Sequence, residues 1–134
     1  MIAYTERFLA RARASGAGDP SVAPLTGSSA NALCGDEIEL GVWVEGGSLL
    51  RIAWRARACA MTRVSAGLLA EYVSTRTREE VLALGQALAE ALEDPARSLP
   101  AELDELSPSR LFPSRRRCLM LPWEALRDAL GPAG

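Results

Sequence analysis

Apolar and polar positions alternate from Glu37 to Glu45. Ile38, Leu40, Val42 and Val44 fall on one side, and Glu37, Glu39 and Glu45 on the other. A period of two marks a half-buried β-strand. Gly46-Gly47 then gives a hairpin turn signal. Residues 48–57 resume the alternation, with Leu50, Ile52, Trp54 and Ala56 on one face and Arg51, Arg55 and Arg57 on the other. Glutamates on one strand and arginines on the next suit cross-strand pairing, although exposed pairs add little stability.

Elsewhere the period lengthens to that of a helix. Residues 1–13 form an amphipathic helix anchored by Ile2, Phe8 and Leu9, and residues 61–73 place Val64, Leu68 and Tyr72 at helical spacing. Thr77-Arg78-Glu79-Glu80 is a capping box, in which the Thr77 hydroxyl and the Glu80 carboxylate take orphan amides. Val81, Leu84, Leu88 and Leu92 then form a buried stripe that Pro95 ends. Residues 119–130 form a last helix with Leu119, Trp123, Leu126 and Leu130 inward and Gly131 as its stop. Pro122 is tolerated there if it sits in the first turn. Residues 14–31, rich in Gly, Pro, Ser and Ala, read as a loop. Residues 93–114 read as a polar connection with one short helix near 101–106. The pattern predicts a single α+β domain over residues 1–134, a small antiparallel sheet packed against several helices.

Composition narrows the chemistry. The 134 residues, 49% hydrophobic and 24% charged, are enough to bury a core without disulfide staples. No run of roughly 18 apolar residues exists, so no membrane span is expected. The N-terminal stretch lacks the continuous apolar core of a signal peptide, which predicts a cytoplasmic protein. With no histidine, a Ser-His triad, a Cys-His pair and an imidazole zinc ligand are excluded. All 15 basic residues are arginine, which excludes a Schiff-base or P-loop lysine. A net charge of −2 argues against a general nucleic-acid binder.

The remaining chemistry rests on Cys34, Cys59 and Cys118. Free cysteine commonly packs as a small hydrophobe, and that is the plainest reading of three scattered thiols. Their settings favour another. Cys34 lies in a loop beside Gly35 and Asp36, Cys59 at a strand-to-helix junction and Cys118 at a loop-to-helix junction. All three stand at element ends, where side chains can converge, and two lie near helix N-termini, where the dipole favours a thiolate. In a reducing compartment such cysteines are thiols or metal ligands rather than a disulfide framework. Gly35 allows the backbone to curl so that Cys34 and Asp36 face one point. Three thiolates and a carboxylate are compatible with tetrahedral zinc or with an iron–sulfur cluster. Arg115-Arg116-Arg117, with Arg110 nearby, read either as a solvated loop or as a run that docks an acidic partner and stabilises the Cys118 thiolate. Trp43, Trp54 and Trp123 read as core or rim packing, since nothing basic interleaves them.

Three blocks carry a family resemblance. Asn31-Ala32-Leu33-Cys34-Gly35-Asp36 resembles the motif N-P-x-C-G-D. Cys59-Ala60-Met61, with Ser65-Ala66 and Leu68-Leu69, resembles G-C-A-I-S-x-A-S-x-x-M-M. Phe112-Pro113-Ser114-Arg115-Arg116-Arg117-Cys118, then Leu121-Pro122-Trp123-Glu124-Ala125-Leu126, resembles P-x-R-x-K-C-x-x-L-x-W-x-x-L. In this order, over residues 31–130, they resemble the U-type iron–sulfur cluster assembly family of IscU, SufU and the NifU N-terminal domain. The resemblance is closer to SufU: Arg117 stands where the scaffold form has histidine, the leucine-proline-proline-valine-lysine motif is absent, and the interval from Cys59 to Cys118 is long. The family glycines before the second cysteine are replaced by Arg57-Ala58, its proline by Ala32, and its serine-rich stretch by Thr62-Arg63-Val64.

The resemblance implies zinc held by Cys34, Asp36, Cys59 and Cys118. It also implies a zinc-dependent sulfurtransferase, in which Cys34 accepts persulfide sulfur from a SufS-like cysteine desulfurase and Arg115 supports it. A downstream cluster scaffold would receive the sulfur, and neither nucleic acid nor membrane would be a partner. The same ligands could instead assemble a transient [2Fe–2S] cluster, with iron and cluster binding as the function. A degenerate member would keep the fold as an interaction module.

Overall fold

The structure is a computed structural model that describes residues 5–74 and 76–131, apart from the Leu111 side chain. Helix α1 (Glu6–Arg13) is shorter than the sequence pattern predicts, because Thr5 caps it by accepting the Phe8 N–H at 3.0 Å. Ile2 lies outside the described residues. Phe8 is buried, but Leu9 is 41% exposed and is not an anchor. So short a helix is held by charge as well: Arg11 reaches Glu105 at 2.6 Å and also binds Glu71 on a neighbouring helix.

Four antiparallel strands run in the order β1-β4-β3-β2: β1 (Gly16–Ala17), β2 (Leu25–Asn31), β3 (Asp36–Glu45) and β4 (Ser48–Arg57). The β3–β4 hairpin is the one the alternation predicts. Gly46 and Gly47 take φ of 59° and 84°, the left-handed pair that a two-residue hairpin favours. Glu39 pairs with Arg55 at 3.3 Å and Glu37 with Arg57 at 4.0 Å on the solvent face. The phase fails near the turn. Trp43 pairs with Arg51 but Val44 with Leu49, so Leu50 has no partner. This bulge turns Leu49 inward and leaves Val44 and Leu50 half exposed, against the strict alternation.

The largest correction falls on residues 14–31. They are not a loop but contain β1, a 3-10 turn at Pro20–Val22 and the edge strand β2. Their small residues are explained by α4 (Arg116–Leu130), which lies directly on β2 and β3. A Cβ on Gly27 would stand 2.3 Å from the Ala125 carbonyl oxygen and 2.4 Å from the Ala129 nitrogen. The composition that looks like a turn is what lets a helix approach the sheet edge. Asp128 of α4 completes the contact by accepting the Ser28 N–H at 3.0 Å.

Helix α2 (Ala60–Tyr72) packs on α4 and α1, and α3 (Arg78–Glu93) on α4. The Thr77–Glu80 capping box forms as predicted, with both bonds at 3.1 Å. The segment after α3 is more than a polar connection. Ala101–Leu111 is a 3-10 run that buries Leu103 and Leu106 completely. Arg110 donates to the carbonyls of Ala91 and Asp94, and Arg116 to that of Leu92, so half of the basic cluster closes the end of α3. Trp54 and Trp123 are buried and Trp43 stacks under Arg51, in keeping with packing roles.

Because α4 starts at Arg116, Pro122 sits in its second turn rather than its first. A residue there would normally donate its N–H to the carbonyl of Cys118, and proline cannot. The Thr62 hydroxyl stands 3.0 Å from that carbonyl instead, sharing its one proton between it and Asp36. The helix therefore stays continuous, with its lost bond replaced from α2. Among the described residues, no helix is long and apolar enough to cross a membrane.

Gly27→Ala is expected to lower stability by about 1–3 kcal/mol in urea unfolding, because its methyl group meets backbone that cannot yield. Thr26→Ala, on the exposed neighbouring position, is expected to cost less than about 1 kcal/mol.

Candidate metal centre

The β2–β3 turn, the start of α2 and the first turn of α4 meet at one end of the sheet. Asn31, a buried polar residue, builds the turn. Its carboxamide oxygen accepts the Leu33 N–H at 3.2 Å, and its carbonyl accepts the N–H groups of Cys34 and Gly35 at 3.2 and 2.9 Å. Gly35 adopts φ of 74°, which reverses the chain into β3 and makes Asp36 its first residue. Cys59 is the N-cap of α2 and its side chain makes no capping bond. Cys118 is buried within the first turn of α4.

These elements bring the predicted residues together. The Cys34 and Cys118 sulfurs are 3.8 Å apart. Cys34, Asp36 and Cys118 each offer an atom within 4.8 Å of the other two. Cys59 stands outside that trio but is near enough to shift the titration of Asp36 and Cys118. Its sulfur is 3.8 Å from the hydroxyl of Thr62. Cys34 is exposed, Cys59 is partly buried and Cys118 is buried, so the site grades from surface to interior.

The electrostatics differ from the sequence expectation at one point. Burial pushes the Cys118 thiol up, and hydrogen bonds from it to Asp36 and Cys59 push it further, so in the metal-free chain it stays protonated. The neighbouring arginines do not make it a thiolate. Asp36 moves the other way. Burial raises its carboxyl, but hydrogen bonds from Cys59, Cys118 and Thr62 outweigh that and hold it below the usual carboxylate range. Arg115 remains at the site, its guanidinium held in the charged form chiefly by hydrogen bonding to the Cys118 sulfur, with a smaller contribution from the Asp36 carboxylate.

The donor set fits a soft metal. Two sulfurs bound at ~2.3 Å to one tetrahedral ion stand about 3.8 Å apart, the separation found between Cys34 and Cys118. Thiols supply soft ligands and Asp36 a harder fourth one. Sequence reasoning missed two residues here. Asn31 was visible only as part of a motif, and Thr62 only as a departure from a serine-rich stretch. The available signal for Thr62 was its position three residues after Cys59, which puts both at the start of one helix face.

Comparisons with known proteins point in one direction. The chain is 31% identical over 103 residues to the iron–sulfur cluster assembly scaffold protein IscU of Streptococcus pyogenes serotype M1. That match covers 75% of the chain and 65% of the streptococcal protein, just under two thirds of its length. It is 30% identical over 108 residues to IscU of Thermotoga maritima, covering 75% of the chain and 72% of that protein. The fold superimposes on the crystal structure of a putative iron–sulfur cluster assembly scaffold protein for the SUF system, SufU, from Fervidobacterium islandicum. The TM-score is 0.79 at 22% identity, with 96% of each chain covered. No protein-family model matches the chain.

In metal-free protein, alkylation followed by mass spectrometry is expected to modify Cys34 first and Cys118 last. The rates for Cys34 and Cys118 should differ by at least about tenfold, because access falls inward and the Cys118 thiol is held protonated.

Proposed function

The chain belongs to the IscU family of iron–sulfur cluster assembly scaffold proteins, and from that membership we propose that it accepts persulfide sulfur at a zinc-bound Cys3Asp site and passes it on for cluster assembly. The observation that carries the reading is the convergence of an exposed thiol, a buried thiol and a carboxylate within 4.8 Å. Cys34, Asp36, Cys59 and Cys118 are the residues that would hold zinc. When bound, zinc would keep these thiols ionised at neutral pH.

Cys34 is the acceptor, because among the three thiols it is the exposed one. A cysteine desulfurase presents the outer sulfur of a persulfide. The Cys34 thiolate attacks that sulfur, a new S–S bond forms at Cys34, and the old one breaks to release the desulfurase thiolate. The sulfane sulfur moves without net oxidation or reduction, as in thiol–disulfide exchange. Arg115 lies beside the thiols and draws the anionic sulfur inward. Cys118 is buried and keeps a structural part. Arg117, standing where the scaffold form has histidine, favours the transferase over cluster assembly.

A second reading has its own support, since both IscU relatives are scaffold proteins by name. In it the same four side chains hold a transient [2Fe–2S] cluster as cargo.

Protein purified without added metal is expected to carry about one zinc per chain, given the tight binding of such sites. Less than about a tenth of an equivalent of zinc or iron would overturn both metal readings. Cys34→Ala is expected to abolish stimulation of a cysteine desulfurase, and full stimulation by that variant would remove Cys34 from the mechanism. Anaerobic reconstitution with iron and sulfide separates the two readings: a stable, visible-absorbing cluster selects the scaffold.

A further inference from the structure

Thr62 has no part in the ligand set, yet it is the most connected side chain at the site. It is fully buried. Its hydroxyl oxygen lies 3.2 Å from Asp36 Oδ2, 3.0 Å from the Cys118 carbonyl oxygen and 3.8 Å from the Cys59 sulfur. It thus touches all three elements that build the site. A hydroxyl has one proton to donate, and two acceptors compete for it. Pro122 leaves the Cys118 carbonyl without its usual amide donor, and the Thr62 hydroxyl stands within reach of it. Proline in the second turn of α4 therefore ties the helix backbone at one ligand position to the carboxylate at another, through Thr62.

The geometry points to Thr62 as a positioning residue that orients the Asp36 carboxylate for metal and fixes its distance from Cys118. Outer hydrogen bonds of this kind hold a ligand in one rotamer, so that binding need not spend free energy ordering it. Exposed Cys34 is held by its own turn and by its contact with the Cys118 sulfur, whereas Asp36 is buried and leans on Thr62. The inference rests on the reading of the cluster as a metal site.

The test uses zinc affinity, measured by chelator competition on the full chain, and the ligand-field spectrum of the Co2+-loaded protein. Thr62→Val removes the hydroxyl but keeps the shape, and is expected to weaken zinc binding about 10- to 100-fold and shift the Co2+ bands. Thr62→Ser keeps the hydroxyl and is expected to stay within a few-fold of wild type. In an Asp36→Ala background the Thr62→Val substitution is expected to change affinity no further, because the group it positions is gone. A merely structural role would instead give additive losses. Should Thr62→Val fail to fold by thermal melting, Thr62→Ala takes its place in the same cycle. Wild-type affinity with unshifted Co2+ bands in a folded Thr62→Val protein, or full additivity with Asp36→Ala, would overturn the inference and leave the metal site standing. Failure of the wild-type protein to bind zinc or Co2+ would overturn the metal reading, and this inference with it.

Discussion

The close approach of α4 to the sheet edge fixes the rest of this structure. That helix carries Cys118, and its depth over β2 and β3 decides whether the thiol meets Asp36 at the start of β3. The approach is possible because β2 presents Gly27 where any side chain would strike the helix backbone. Polar bonds then lock the helix along the strand, from Asp128 to the Ser28 amide and from Ser29 to Glu124. Along the same helix Leu121, Ala125 and Leu126 are fully buried. Each apolar side chain of leucine size is worth about 1.5–3 kcal/mol when buried, so the helix is pinned by packing and its first turn is delivered to the site as a rigid part.

That rigidity divides the thiols into two kinds. Cys118 is carried inward by α4, and its surroundings hold it protonated until something replaces the proton. Cys34 sits on a turn held by Asn31 and remains open to solvent. The fold thus sets a buried and an exposed thiol 3.8 Å apart, the opposite environments that the proposed ligand and acceptor roles would need. The buried carboxylate between them stays ionised because thiols and a hydroxyl donate to it. Burial alone would have raised its pKa.

What could be read from the sequence follows from the range of each interaction. The β3–β4 hairpin and the α3 capping box depend on neighbours a few residues apart, so alternation and spacing reveal them. Strand β2 was hidden because its small residues answer to a helix about a hundred positions later. Leu50 was misplaced because a bulge changes phase without changing composition. The thiols and Asp36 were legible as chemistry, since few residue types can do that work. Asn31 and Thr62 were not, because a side-chain amide or hydroxyl has no meaning until its partner is known.

The arginine run shows the same limit in the other direction. As a sequence it is one basic block, and one charge cluster invites one explanation. In the fold it separates by where each side chain can reach. Arg110 and Arg116 turn back to the carbonyls that end α3, where positive charge is favoured by the dipole. Arg115 turns to the sulfur of Cys118. Two of the four guanidiniums are thus engaged at α3, and Arg115 is the one that acts at the Cys118 sulfur. It cannot ionise a buried thiol against desolvation and a neighbouring carboxylate, but it can act on an anion that arrives from solvent, where Cys34 is exposed. On the proposed reading, placement of the charge would matter more than its amount.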